Sequence, residues 1–181
     1  MPLTRRDFVK SSAGLAALPS VIGLGSASAA VVTRPAARPA STADKISIGF
    51  IGCGKRAMEL IPAFLKRDDC VTLAVCDVDT TRRDHCAKMV NDKGGKPCLG
   101  YVDYKELLVR RDIDAVVITT PDHWHANQII DSAKAKKDIY CEKPLTLTLA
   151  EGKACIDAVR KHERVFQTGS QQRTEYDGKF R

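Results

Sequence analysis

Short apolar segments of strand length alternate with segments of helical periodicity along most of this chain. The apolar segments are Ile46–Ile51, Val71–Cys76, a short stretch within Pro97–Tyr101, Asp114–Ile118, Ile139–Cys141 and Val165–Thr168. Continuous apolar strands separated by amphipathic helices are typical of βαβ units, whose parallel sheet is buried on both faces. We therefore expect an α/β fold with a six-stranded, doubly wound parallel sheet.

Local signals place the helices between these strands. Met58, Ile61 and Leu65 recur at helical spacing, and Pro62 is expected to kink that helix. The segments Asp103–Glu106 and Thr148–Glu151 have the pattern of a capping box, so each predicts the start of a helix.

The composition excludes several other classes of protein. With 44% hydrophobic and 28% charged residues, the 181-residue chain has a globular composition and enough length for one domain. The net charge of +7 is spread along the chain without a dense basic run, so no nucleic-acid partner is predicted. The seven cysteines form no C-x-x-C pair, which predicts no metal site and favours buried free thiols.

The first 29 residues follow the order of an export signal. Arg5 and Arg6 precede Phe8, an uncharged apolar stretch follows, and Ala27-Ser28-Ala29 has a small-x-small cleavage pattern. The paired arginines are similar to a twin-arginine signal, the route of proteins that fold before export. The alternative, an amphipathic helix of the domain, is disfavoured because the following segment contains two prolines and is typical of a flexible tether.

We therefore predict a twin-arginine signal peptide over residues 1–29 and a flexible linker over residues 30–44. The expected location is the periplasm or another exported compartment, reached through the twin-arginine machinery. Stable membrane insertion is not expected, because the apolar stretch is shorter than the roughly 20 residues that span a bilayer.

Two motifs at the ends of the first two strands are typical of a dinucleotide site. Gly52-Cys53-Gly54-Lys55-Arg56-Ala57 has the pattern G-x-G-x-x-A between a strand and a helix, where the backbone can approach a pyrophosphate. Asp77 ends the second strand 23 positions after Gly54. A carboxylate there hydrogen-bonds a ribose 2′-hydroxyl and repels a 2′-phosphate, which predicts NAD, with NADP as the alternative. The alternative for Asp77 is an ordinary helix-entry residue, and Arg82 and Arg83 are expected on a solvated face.

Polar residues also follow the fourth and fifth strands. Behind Thr120 and Pro121, His125 either faces the cofactor or packs inside, and Trp124 is expected to fasten its helix to the sheet. Glu142-Lys143-Pro144 places a lysine at a turn, beside an acid that can hold it. Such a lysine can hydrogen-bond a substrate hydroxyl or carbonyl and shift its proton affinity during hydride transfer. The alternative is a surface Glu–Lys pair.

With these motifs the chain resembles the Gfo/Idh/MocA family, the glucose–fructose oxidoreductase and inositol dehydrogenase group of oxidoreductases. The resemblance extends from Ile46 to about Arg173. It rests on Gly52-Cys53-Gly54, Cys76-Asp77-Val78-Asp79, Thr120-Pro121 with His125, and Glu142-Lys143-Pro144.

The resemblance implies a role for each of these positions. Gly52, Cys53, Gly54, Lys55 and Arg56 would line the dinucleotide phosphates, and Asp77 would hold the adenosine ribose. Thr120, Pro121 and His125 would border the nicotinamide side, Glu142 would contact the nicotinamide ribose, and Lys143, next to a cis-proline peptide, would support catalysis.

The resemblance also implies the domain organisation and the activity. Residues 45–170 would form a Rossmann NAD(P)-binding domain, and residues 171–181 the truncated start of an otherwise absent α/β substrate domain. The expected activity is that of an NAD-dependent dehydrogenase acting on a sugar, polyol or related hydroxyl compound, as a homo-oligomer when full length. The alternatives are an NAD-dependent glycosidase or glycoside lyase of the same family, and a nucleotide-binding module without catalysis.

Overall fold

The computed structural model describes residues 45–170, which form one six-stranded parallel sheet with helices on both faces. The strands are β1 (Ile46–Ile51), β2 (Cys70–Cys76), β3 (Leu99–Tyr101), β4 (Ala115–Ile118), β5 (Asp138–Glu142) and β6 (Phe166–Gly169). The helices are α1 (Lys55–Leu65), α2 (Thr80–Asn91), α3 (Tyr104–Leu108), α4 (His125–Lys134, after a 3-10 turn at Asp122–Trp124) and α5 (Leu149–Lys161). The doubly wound α/β fold predicted from the sequence is confirmed.

The strand order is β3-β2-β1-β4-β5-β6, which is the order of dinucleotide-binding sheets. The direction of winding changes between β1 and β4, and a crevice opens there beyond the carboxyl ends of the strands. The register brings these ends to one level, since Ile51 of β1 lies beside Cys76 of β2 and Ile118 of β4. The loops that follow the three strands are therefore neighbours at the crevice.

Each face of the sheet has its own apolar core. One core includes Phe50, Ile61 and Val75 under α1 and α2, and the other includes Ile118, Ile129 and Leu107 under α3 and α4. All seven cysteines are free thiols, and all except the half-buried Cys70 are buried. The prediction of buried, unpaired thiols is confirmed, and a small hydrophobic side chain explains their placement.

One local prediction needs correction, and another stays a prediction. Helix α1 continues through Pro62 to Leu65, as expected, and the kink at Pro62 stays a prediction. The capping box is present at Thr148, but at Asp103 the side chain accepts only the Lys105 N–H, without the reciprocal contact expected from Glu106.

The predictions for residues 1–29, 30–44 and 171–181 lie outside the described residues. None of the helices within residues 45–170 has the length and apolar character needed to cross a lipid bilayer.

Candidate functional site

The turn after β1 has a backbone that only glycine fits. Gly52 has a φ of +95°, and a Cβ at this position would lie 2.8 Å from the Thr119 carbonyl carbon. The Thr119 hydroxyl donates a 2.8 Å hydrogen bond to the Gly52 carbonyl oxygen, and the Gly52 N–H donates to Cys76. The turn is therefore held by both neighbouring strand ends.

Gly54 leaves the N-terminus of α1 open. It is the N-cap of α1 and provides no side-chain hydrogen bond, whereas Asp79 and Thr148 cap α2 and α5 with theirs. A Cβ at Gly54 would have no heavy atom within 4 Å, so the space in front of this helix end is clear. Exposed backbone N–H groups and the positive end of the helix dipole suit a phosphate group at this point.

Asp77 joins the glycine turn to the start of α2. Its Oδ2 accepts the Cys53 N–H at 2.7 Å, and its Oδ1 accepts the Asp79 N–H at 2.9 Å. Each carboxylate oxygen can accept more than one hydrogen bond. The carboxylate therefore keeps acceptor capacity for the hydroxyls of a ribose while it fixes the turn.

A first cleft of about 690 Å³ opens between the ends of β1, β2 and β4. Gly52, Gly54, Asp77, Thr120 and Pro121 line it. So do several residues that were not predicted as part of the site, among them Val78, Asp79, Arg82, Tyr104, Trp124 and Gln128.

Trp124 and Arg83 correct expectations from the sequence. Trp124 is 46% exposed and borders the cleft instead of fastening its helix to the sheet. The Arg83 side chain is only 18% exposed, so it does not lie on a solvated face. Arg82 is exposed as expected, and it also borders the cleft, 3.3 Å from Asp79. The spacing of Asp79 and Arg82 from Asp77 was a signal for both, because the residues that open the helix after β2 face the same crevice.

A second, more polar cleft of about 330 Å³ lies beside the first. Its lining includes Lys55, Glu59, Thr120, Glu142 and Lys143. Lys143 is exposed at the turn after β5, where the Lys143–Pro144 peptide bond is cis. Thr119 and Thr120 line both clefts, so the two clefts are neighbours at the end of β4.

Arg56 connects two sides of the second cleft. Its Nε donates to Glu142 Oε1 and its Nη1 donates to Glu59 Oε2, both at 2.8 Å. Burial acts to lower the pKa of Arg56, but the hydrogen bonds to Glu59 and Glu142 outweigh it and the pKa is raised. The ion pair with Glu142 joins the start of α1 to the end of β5, and a contact of Arg56 with the dinucleotide phosphates stays a prediction.

His125 and Cys53 are buried and line neither cleft. The His125 ring is 1% exposed, with Nδ1 2.8 Å from the Pro144 carbonyl oxygen and Nε2 2.9 Å from the Thr120 carbonyl oxygen. The Cys53 thiol is buried, and its hydrogen bond with Cys86 and its burial both raise its pKa. These two residues shape the site through the loops that they hold, and a direct contact with a cofactor stays a prediction for each.

The structure thus divides the eleven predicted site residues into three groups. The first cleft has Gly52, Gly54, Asp77, Thr120 and Pro121; the second has Lys55, Arg56, Thr120, Glu142 and Lys143; Cys53 and His125 support the loops. Within residues 45–170, no group of three or more His, Cys, Asp or Glu side chains is placed to hold a metal ion.

Comparison with known families agrees with this geometry. The model of the oxidoreductase family with an NAD-binding Rossmann fold, GFO_IDH_MocA, matches residues 46–170. The chain belongs to the Gfo/Idh/MocA family. Its Rossmann domain is of the NAD-binding type, and the open helix end at Gly54 and the acceptor at Asp77 fit that cofactor.

Two of the curated relatives that this chain matches have glycosidase names. The chain is 35% identical over 177 residues to a glycosyl hydrolase family 109 protein from Shewanella pealeana, covering 91% of this chain and 38% of the relative. It is 30% identical over 172 residues to an alpha-N-acetylgalactosaminidase from Shewanella oneidensis, covering 88% and 38%. The chain therefore spans about two fifths of the length of the curated relatives it matches.

Solved structures include dehydrogenases with the same fold. The WlbA dehydrogenase from Chromobacterium violaceum, in complex with NADH and UDP-GlcNAcA, is 26% identical and superposes with a TM-score of 0.67. The match covers 74% of this chain and 37% of the dehydrogenase.

Proposed function

We propose that this chain supplies the NAD-binding part of an enzyme that transfers a hydride between nicotinamide and a sugar, a polyol or a related hydroxyl compound. The observation that carries the proposal is the placement of Lys143. Its side chain is exposed in the second cleft, which Thr120 joins to the cleft that contains Asp77 and the glycine turn. A cofactor whose adenosine end lies at Asp77 would therefore direct its nicotinamide toward Lys143.

The chain's own residues have separate tasks in this proposal. Gly52 and Gly54 provide room for the pyrophosphate, the backbone N–H groups at the start of α1 donate to it, and Asp77 accepts from the adenosine ribose. Glu142 and Arg56 form the wall at the nicotinamide end. When bound, NAD supplies the carbon that accepts or donates the hydride.

Lys143 donates or accepts the proton whose transfer accompanies hydride transfer. In the direction of reduction, its ammonium donates a proton to the carbonyl oxygen of the substrate as the hydride reaches the carbonyl carbon. In the direction of oxidation, the neutral amine accepts the hydroxyl proton as the hydride leaves the same carbon. A positioned ammonium also stabilises negative charge that develops on the substrate oxygen.

A second candidate function is an NAD-dependent glycosidase, in which oxidation of the sugar is transient and reversed within one turnover. The observation that favours it is the 30–35% identity to proteins named as family 109 glycosyl hydrolases and an alpha-N-acetylgalactosaminidase. Lys143 serves both functions, because each requires proton transfer at a sugar hydroxyl.

One experiment separates the two functions. The protein expressed from its complete gene is incubated with NAD and a panel of sugars and polyols, and NADH is followed by its absorbance. It is also incubated with an aryl α-N-acetylgalactosaminide, and release of the aryl group is measured. Net NADH formation without aryl release supports the dehydrogenase. Aryl release without net NADH contradicts it and supports the glycosidase, and cofactor binding with neither reaction supports a binding module.

We further propose that the protein is exported in folded form by the twin-arginine route, on the basis of the pattern in residues 1–29. The Arg5→Lys, Arg6→Lys double variant, fused to a reporter, should stay in the cytoplasm while the wild-type fusion is exported. Equal export of both fusions would contradict the proposal.

A further inference from the structure

Tyr140 lies on β5 two residues before Glu142, so both side chains leave the same face of the strand. The Tyr140 hydroxyl is 3.2 Å from Glu142 Oε1 and donates to it, because a carboxylate can only accept. Burial, followed by the charge of Glu142, raises the pKa of Tyr140. The phenol therefore keeps its proton, and remains a donor, throughout the neutral range.

The carboxylate of Glu142 depends on such donors. It is only 4% exposed, and a buried carboxylate is costly unless hydrogen bonds replace its lost water. Oε1 accepts from both Tyr140 and the Nε of Arg56, and Oε2 accepts the Lys143 N–H at 3.2 Å. The Tyr140 hydroxyl is thus one of three donors that fix the direction of this carboxylate.

The neighbouring strand leaves room for this pair. Gly169 of β6 is in register with Glu142, and a Cβ on Gly169 would lie 2.6 Å from the Tyr140 hydroxyl oxygen and 2.8 Å from Glu142 Cδ. Any other residue at this position would displace the ends of both side chains. Gly169 is therefore a second, independent element of the same arrangement.

We propose that Tyr140 is a positioning residue for the nicotinamide end of the site, acting through Glu142 and Arg56. Its hydroxyl orients the Glu142 carboxylate, and the carboxylate orients the guanidinium of Arg56 across the second cleft. This inference rests on the proposed placement of the nicotinamide in the second cleft.

The arrangement predicts an effect confined to one end of the cofactor. The residues that would hold the adenosine end, Asp77 and Gly54, line the first cleft, and Tyr140 lines neither cleft. Loss of the Tyr140 hydroxyl should therefore weaken NADH, which reaches both clefts, but not ADP, which occupies only the first. A general loss of structure would weaken both ligands together.

The test is the Tyr140→Phe variant of the 181-residue chain, with affinities for NADH and ADP measured by calorimetry. We expect the dissociation constant for NADH to rise about threefold to tenfold, the scale of one ordinary hydrogen bond because Tyr140 acts on the cofactor indirectly, and that for ADP to change less than about twofold. The matched control is Tyr101→Phe, because Tyr101 lies on β3, its hydroxyl accepts a hydrogen bond from Arg110, and it lines neither cleft. This control should bind both ligands as the wild type does.

Gly169→Ala tests the same arrangement from β6. The atoms that the new methyl group would meet are the ends of side chains, so the sheet can be retained while Tyr140 and Glu142 shift. Selective loss of NADH affinity in either variant supports the inference. Unchanged NADH affinity in both, or equal loss of NADH and ADP, overturns it, while normal wild-type binding leaves the proposed function standing. A wild-type chain that binds NADH no more tightly than ADP would overturn both the inference and the proposed function.

Discussion

In the proposed function, we expect the carboxylate of Asp77 in the first cleft to distinguish NADH from NADPH. A 2′-phosphate would lie against this carboxylate, so NADH should bind more tightly than NADPH. Asp77→Ala should weaken NADH binding by about 1–3 kcal/mol and narrow the preference, as expected for loss of a charged hydrogen bond. Asp77→Asn removes the charge but keeps an acceptor for the Cys53 N–H. Comparison with Asp77→Ala therefore separates the effect of the charge from the effect of a disturbed glycine turn. Fluorescence titration measures the affinity of each protein for both cofactors, and Asp92→Ala, which removes a surface acid paired with Lys88, is the control. Equal affinities in the wild type would contradict the assignment of Asp77.

The side chain of Lys143 is exposed and contributes little packing. Lys143→Met should therefore change the free energy of unfolding by much less than the roughly 2–5 kcal/mol of a core truncation. In the protein expressed from its complete gene, turnover should fall by a factor on the order of 10²–10⁴, while NADH still binds. Melting temperature, NADH affinity and rate are compared with those of Lys153→Met, a change in an exposed lysine of α5 that pairs with Asp157. A variant that keeps most of its rate would leave Lys143 without a catalytic role.

Residue patterns predicted which strand ends carry polar groups, but not how each side chain is used. The motif around Gly52 indicates a phosphate-binding turn, yet the Arg56 within it pairs with Glu142, 86 positions away in the chain. Local spacing cannot predict that pair, because only the strand order brings α1 and the end of β5 together. Tyr140 had a detectable signal, since alternate residues of a strand share one face.

At the scale of single elements, the capping box makes α5 the clearest helix start in the described chain. The Thr148 hydroxyl accepts a hydrogen bond from the Glu151 N–H at 3.2 Å, and Glu151 Oε2 accepts one from the Thr148 N–H. Thr148→Ala should lower the free energy of unfolding by about 1 kcal/mol, because the Glu151 N–H loses its acceptor and the reciprocal hydrogen bond to Glu151 is no longer supported. Urea denaturation measures the change, and Thr80→Ala, at an exposed position that caps nothing, should leave it within about 0.5 kcal/mol. A Thr148→Ala variant as stable as the wild type would contradict this.

Strand and helix positions were predicted well where burial alone decides them. The buried strands β1, β2 and β4 lie within one residue of the predicted bounds, because their apolar runs end at glycine or polar residues. The helix predicted from Met58, Ile61 and Leu65 is also present as α1, and its buried Ala57 and Ile61 anchor it to the sheet in the turns before Pro62.

At the scale of the whole molecule, the buried thiols tie stability to alkaline pH. Burial raises the pKa of Cys76, Cys98 and Cys141 from the ordinary 9.0 to about 12. Above about pH 9 the unfolded chain loses these protons while the native state keeps them, so the native state binds more protons. The free energy of unfolding should therefore be level below this pH and fall above it, by up to about 1.4 kcal/mol per pH unit and thiol.

Denaturant titrations at about pH 8 and about pH 10 measure this decline. Cys141→Ala removes one of the titrating thiols, so its stability should fall less steeply between the two conditions, whatever its starting value. A wild-type stability that is the same at both pH values would contradict the prediction.

The contacts of His125 also determine how the site can move. Its ring lies between the carbonyl oxygens of Thr120, after β4, and Pro144, after β5, with both distances under 3 Å. Any opening of the wall between these two loops must either break one of the two contacts or carry both loops along as a single body. The backbone on this side of the second cleft therefore keeps its conformation when a ligand enters. The parts that can move to admit the ligand are exposed side chains such as Lys143.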